Sequence, residues 1–116
     1  MEEIDINNSL QQEDLFEQFR SQLKKDFEGA GIAAGFTNDL PSDLHLLKER
    51  ILQALQPLFR GNMALLSSLF YRIDISEQQL KNYEQQHKHL SFEELAAELI
   101  IKRVLQKVIL RKRFSE

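Results

Sequence analysis

Three side chains that can take part in acid–base or anion-binding chemistry lie close together in the segment YRIDISEQQL. Tyr71 supplies a phenol, Arg72 a guanidinium and Asp74 a carboxylate, and such a group can form part of a ligand site. The positions of these residues at predicted helix ends offer another explanation for their types. A cation suits the C-terminal end of a helix, and Ser76 and Gln79 have the spacing of an N-terminal capping box. We therefore interpret Arg72, Asp74, Ser76 and Gln79 as a structural corner, in which Asp74 pairs with Arg72 or with backbone N–H groups.

The remaining candidates for catalysis or metal binding are weaker. His87 and His89 form an H-x-H pair in the polar run EQQHKH, and no cysteine accompanies them, so we interpret them as part of a solvated loop. The serines that precede apolar runs, Ser42, Ser76 and Ser91, have the character of helix caps. We therefore expect no catalytic residue, no metal site, no cofactor and no enzymatic activity.

The glycine-rich segment GAGIAAG superficially resembles a dinucleotide-binding fingerprint. Its spacing is G-x-G-x-x-x-G, and it follows the charged end of a helix, whereas the fingerprint needs a buried strand before it. The segment is better interpreted as a connector that runs over the surface or tucks Ile32 and Phe36 into the core.

Length and composition indicate one globular domain spanning residues 1–116, with residues 1–10 disordered or loosely packed. Hydrophobic residues make up 42% of the 116 positions and charged residues 28%, values that are ordinary for a folded domain. The absence of cysteine excludes disulfide frameworks and thiol nucleophiles. The acidic N-terminus does not have the pattern of a signal peptide, so we expect a soluble, cytoplasmic protein.

Apolar spacing predicts an all-α fold, a small bundle of four to five helices with a long C-terminal helix. The first predicted helix covers residues 11–28, with Ser9 and Gln12 as a capping box and Gly29 as a left-handed stop. The second begins after Ser42, and Pro57 should kink or end it within a turn. Whether the third helix is separate from the second is left open by the sequence.

Two capping boxes define the last two predicted helices. Ser76 with Gln79 starts the fourth, which ends before His87, and Ser91 with Glu94 starts the fifth. Each box is accompanied by apolar residues placed to form a hydrophobic staple. The fifth predicted helix runs from about residue 92 to about residue 112.

Charge is distributed unevenly along the chain. Residues 1–28 carry eight acids and three bases, a net of −5, whereas residues 99–116 carry six bases and one acid, a net of +5. The two ends are therefore electrically complementary.

The fifth predicted helix raises the main functional hypothesis, because its apolar stripe changes sides halfway along. Its late face needs a neighbour, which is either the acidic first helix or another chain, a second copy or an unknown protein partner. We favour a homodimer, and hence a protein–protein interaction or assembly module. The predicted interface residues are Ile101, Val104, Leu105, Val108 and Ile109.

The bases of the same helix support an alternative function, nucleic-acid binding through phosphate contacts. This candidate anion-binding cluster consists of Lys102, Arg103, Lys107, Arg111, Lys112 and Arg113. The sequence pI of about 5.6 does not favour a nucleic-acid partner, and binding to a membrane surface is favoured still less.

Overall fold

The computed structural model describes residues 5–115, which form six α-helices and one short 3-10 helix. The all-α fold and the long C-terminal helix are both confirmed. The elements in chain order are α1 (Ile6–Leu10), α2 (Glu13–Gly29), the 3-10 helix (Gly35–Asp39), α3 (Leu44–Gly61), α4 (Met63–Ile73), α5 (Glu77–Gln86) and α6 (Phe92–Ser115).

Helix α6 is the centre of the bundle, and α2, α3, α4 and α5 all pack against it. Buried residues occur on all sides of α6, including the adjacent runs 95–97 and 99–101. A helix that is apolar all round must be enclosed by neighbours. The change of side that the sequence shows in α6 therefore reflects different neighbours covering its first and second halves.

The predicted dimer interface on the late face of α6 is wrong, because the chain's own helices cover that face. Ile101, Val104, Leu105 and Val108 are buried, and Ile109 is half-buried against the core. Helix α2 packs along the second half of α6, so the acidic segment covers the basic one. This is the structural alternative that the charge pattern left open.

The N-terminal segment is more ordered than the sequence predicts. Residues 6–10 form α1, whose N-cap Asp5 accepts a hydrogen bond from the Asn8 amide, and Leu10 is buried in the core. Ser9 lies buried inside α1, so the capping box predicted for Ser9 and Gln12 is wrong. Of the segment predicted to be disordered, residues 1–4 lie outside the described part of the chain.

Two further helix ends differ from the prediction by one or two residues. Gly29 is the last residue of α2, and the left-handed residue is Gly31, with φ of 86°. Its neighbour Ile32 donates its amide to the Phe27 carbonyl, which closes the helix end. At the start of α3 the cap is Asp43, whose carboxylate accepts from the Leu46 amide, rather than Ser42.

The structure separates α3 from α4. Helix α3 contains Pro57 and ends at Gly61, about one turn later, as the proline predicts. Asn62 then leaves the helical conformation, with φ of −149°, and its side chain caps α4 by accepting from the Leu65 amide. The chain therefore changes direction at Asn62 and brings α4 back against α2 and α6.

Both capping boxes of the last two helices are confirmed. The Ser76 hydroxyl accepts from the Gln79 amide at 3.2 Å, and the Gln79 side chain accepts from the Ser76 amide at 2.8 Å. Ser91 and Glu94 make the same reciprocal pair at 3.1 and 3.3 Å. The hydrogen bonds to the Ser91 amide and hydroxyl lower the pKa of the Glu94 carboxyl.

Burial of the late face of α6 predicts the effect of Val104→Glu. Because Val104 is 0% exposed, a carboxylate there loses its hydration, and the substitution should lower the free energy of unfolding by at least about 3 kcal/mol. Thermal and urea unfolding followed by circular dichroism measure this loss. The exposed Leu110→Glu change on the same helix is the control and should cost much less. A Val104→Glu protein as stable as the parent chain contradicts the burial of this face.

Candidate functional site

A buried carboxylate joins three helices of the bundle. The side chain of Asp26, on α2, is 2% exposed. Lys107 of α6 places its Nζ 3.2 and 3.4 Å from the two carboxylate oxygens, and Arg72 of α4 places its Nε 3.5 Å away. The Gln22 side-chain amide donates to the same carboxylate at 3.0 Å. Asp26 therefore has two cationic partners from different helices and one neutral donor from its own.

Further hydrogen bonds extend this network along the α2–α6 contact. Lys107 also donates to the backbone carbonyl of Arg72 at 3.2 Å, at the C-terminal end of α4. Arg111 donates to the Gln22 side-chain oxygen at 2.6 Å. Since its polar groups are directed at one another and the carboxylate is buried, the network positions α2, α4 and α6 and leaves Asp26 inaccessible to a ligand.

Arg72 reaches Asp26 by passing close to the end of α2. A Cβ added at Gly29 would overlap the Arg72 guanidinium. Gly29 is therefore needed for the close approach of the Arg72 guanidinium to the end of α2, whereas the left-handed turn depends on Gly31. A side chain at residue 29 would force Arg72 away from Asp26.

The predicted corner is real, but its ion pairs differ from the prediction. Asp74 adopts the left-handed conformation, with φ of 71°, and ends α4. Its carboxylate lies 3.3 Å from Nη2 of Arg103 on α6, while Arg72 turns the other way to Asp26. The corner is thus fixed by its backbone conformation and by the capping box that follows it.

Bases of the candidate anion-binding cluster contact several different neighbours. Carboxylates from three separate segments face three of them: Arg103 meets Asp74, Lys107 meets Asp26 and Lys112 meets Asp14. The ion pair with Lys112 lowers the pKa of Asp14. Lys102 lies 5.7 Å from the centre of the Tyr83 ring, Arg111 bonds Gln22 and Arg113 is exposed. These contacts hold α6 within the bundle and weaken the case for phosphate binding.

Of the two histidines that follow α5, one stacks on a tyrosine ring and the other lies near the first. His87 stacks on Tyr83 with ring centres 4.1 Å apart, and His89 is 6.1 Å from His87. Burial, with Glu98 nearby, raises the pKa of Tyr83 to about 12. Within residues 5–115, no three histidine, aspartate or glutamate side chains come together as metal ligands.

The exposed side of α4 carries no charged side chain along its middle. Met63, Ala64, Ser67, Ser68 and Tyr71 are all exposed along it. Arg72 is the one charged residue in the eleven-residue sequence of α4, MALLSSLFYRI. Tyr71 is 90% exposed and Met63 54%. An exposed helix face ordinarily carries charged groups, and this uncharged face, which we call the α4 outer face, has none along its length.

No helix within residues 5–115 combines the length and apolar character needed to cross a bilayer. Comparison of the chain with protein-family models, with curated proteins and with solved structures finds no match.

Sequence reasoning did not single out Asp26 or the α4 outer face. Asp26 and Gln22 lie at the helical spacing of Phe19, Leu23 and Phe27, on the side of α2 that faces the core. A polar pair within an apolar stripe is a signal for a buried network. The lack of charge on α4 was also visible in its sequence.

The left-handed conformation of Asp74 predicts opposite effects for two substitutions. Glycine adopts this conformation readily, whereas alanine pays about 1 kcal/mol or more. Asp74→Gly should therefore match or exceed the parent chain in free energy of unfolding, and Asp74→Ala should fall below it by about 1 kcal/mol. Urea unfolding measures both. If the two variants lose equal stability, the ion pair with Arg103, rather than the backbone, controls the corner.

Proposed function

We propose that this chain is a non-enzymatic assembly module that associates with a second copy of itself through the α4 outer face. The observation that carries the proposal is Tyr71, an aromatic side chain 90% exposed on a helix face without charge. Protein interfaces are enriched in tyrosine and methionine, and charged residues are depleted at their centre. Tyr71 and Met63 are the two large side chains of this face.

The lack of charge favours a second copy as the partner. In a two-fold symmetric contact each surface meets itself, so charged faces repel unless acids and bases alternate. The five residues of the α4 outer face carry no charge, and the exposed cation at its edge, Arg72, is paired with the Asp26 carboxylate. The basic end of α6, with Arg111 and Arg113 exposed, would instead face another basic end.

The side chains of α4 also fit a helix-to-helix contact. Ala64, Ser67 and Ser68 are small and lie between Met63 and Tyr71 along the helix. Small side chains at a crossing allow helix axes to approach closely. In an antiparallel pair, Tyr71 of one copy would lie near Met63 of the other, a sulfur–aromatic contact that is favourable.

An open groove next to this face adds area to the proposed contact. Tyr71, Arg72 and Ser68 line it together with Gly29 and Ala30 at the end of α2, and its volume is about 760 Å³. A partner helix lying on α4 can place side chains into this groove. The contact would then extend from α4 to α2, which a stable interface needs because a single short helix buries little surface.

Self-association through α4 is tested by the oligomeric state of matched serine variants. We expect the parent chain to form dimers at high concentration in sedimentation equilibrium, and Ser68→Glu to be monomeric, because two carboxylates would meet across the two-fold axis. Ser21→Glu, which adds the same charge at an exposed position of α2, is the control and should dimerise normally.

Circular dichroism must show that both variants retain the helical fold. A parent chain that stays monomeric up to about 0.5 mM, where even weak specific dimers form, contradicts the proposal. Equal dissociation of the Ser68→Glu and Ser21→Glu proteins also contradicts it, since the effect would then be one of net charge and not of the α4 outer face.

A further inference from the structure

A second surface feature, separate from α4, is a groove between the connector after α2 and the outer side of α3. Its volume is about 550 Å³, within the range of small-ligand sites. Ile32, Phe36, Ala54 and Leu58 form its apolar lining. The Phe36 ring is fixed by an edge-on contact with Phe27, with ring centres 5.0 Å apart. The groove therefore has a firm apolar wall.

One cationic side chain, Arg50, lines the groove. Its Nη1 lies 3.3 Å from Oδ1 of Asp39, whose side chain is 77% exposed. An ion pair this exposed contributes little to stability. A carboxylate entering the groove can therefore replace Asp39 as the partner of Arg50 at small cost.

A backbone acceptor lies one helical turn from Arg50. In an α-helix the amide of residue 57 donates to the carbonyl of residue 53, but Pro57 has no N–H and its ring crowds that carbonyl. Gln53 and Pro57 both line the groove. The Gln53 carbonyl has thus lost its usual helix donor, and it can accept an N–H from a ligand in its place.

From these three features we propose that the groove binds the free C-terminal apolar residue of a peptide. The terminal carboxylate pairs with Arg50, the N–H of the last residue donates to the Gln53 carbonyl, and the apolar side chain packs between Phe36 and Ala54. The site does not depend on self-association through α4.

The test uses the tripeptide acetyl-Ala-Ala-Phe with a free carboxylate, titrated into ¹⁵N-labelled protein and followed by amide chemical shifts. We expect saturable shifts at residues 32–36 and 50–58, with a dissociation constant on the order of 1 mM, as suits a ligand of this size. The C-terminal amide of the same tripeptide lacks the charge and should bind about fivefold more weakly or worse.

Variants of the groove separate its three parts. Arg50→Gln should weaken binding of the acid to the level of the amide, and Ala54→Leu should abolish binding by filling the floor. Pro57→Ala restores an amide donor to Gln53, so it should weaken binding while leaving α3 intact. Arg60→Gln, which removes an exposed base of α3 outside the groove, is the matched control and should bind as the parent chain does.

Several results would overturn this assignment. These are the absence of saturable shifts up to about 10 mM, where a ligand of this size should register, shifts centred outside residues 32–36 and 50–58, or equal affinity for the acid and the amide. Equal loss of binding in the Arg50→Gln and Arg60→Gln proteins would show attraction to net charge in place of a defined site.

Discussion

The buried carboxylate of Asp26 is the constraint on which the arrangement of the bundle depends. A charged group with 2% of its side chain exposed must find partners inside the protein, because leaving it unpaired costs several kcal/mol. Its cationic partners come from α4 and α6, so the pairing is satisfied when both helices meet α2 at that level. The position of α2 over the second half of α6 follows from this requirement together with apolar burial.

Enclosure of α6 has consequences for the surface. Since α2, α3, α4 and α5 surround the central helix, its apolar side chains pack against the chain's own helices. The late face of α6 is therefore not exposed for a dimer contact. Helix α4 lies at the periphery, with Leu66, Leu69 and Ile73 buried and its other side exposed. The uncharged outer side of α4 has no counterpart inside the bundle, and this is the side through which we propose that two copies associate.

The sequence predicted those features that depend on neighbouring residues. The Ser76–Gln79 and Ser91–Glu94 boxes involve groups three positions apart, and they located the last two helices. Apolar spacing located the earlier helices for the same reason, with the separation of the second and third left open. The predicted helix ends were wrong where two nearby residues can serve as the cap or the stop. Asp43 is as good a cap as Ser42, and Gly31 takes the left-handed position expected of Gly29. Such choices are decided by small differences in local packing.

Long-range pairing was beyond the sequence. Asp74 pairs with Arg103, which is distant along the chain, whereas the sequence suggested Arg72, two positions away. The sequence allows two alternatives for the cover of the late face of α6, and only the packing of α2 decides between them. The network around Asp26 and the groove beside Pro57 each combine residues from separate elements, so neither is visible as a local motif.

The measurement that tests the role of Asp26 most directly is a double-mutant cycle with Lys107. Lys107→Met should lower the free energy of unfolding by about 3 kcal/mol, because the buried carboxylate loses its closest cation. Adding Asp26→Asn removes that charge, so the double variant should be more stable than Lys107→Met alone and recover about half of the loss or more. If the two substitutions are additive in urea unfolding, Asp26 is not the charge that Lys107 compensates, and its pairing does not determine how α2 packs on α6.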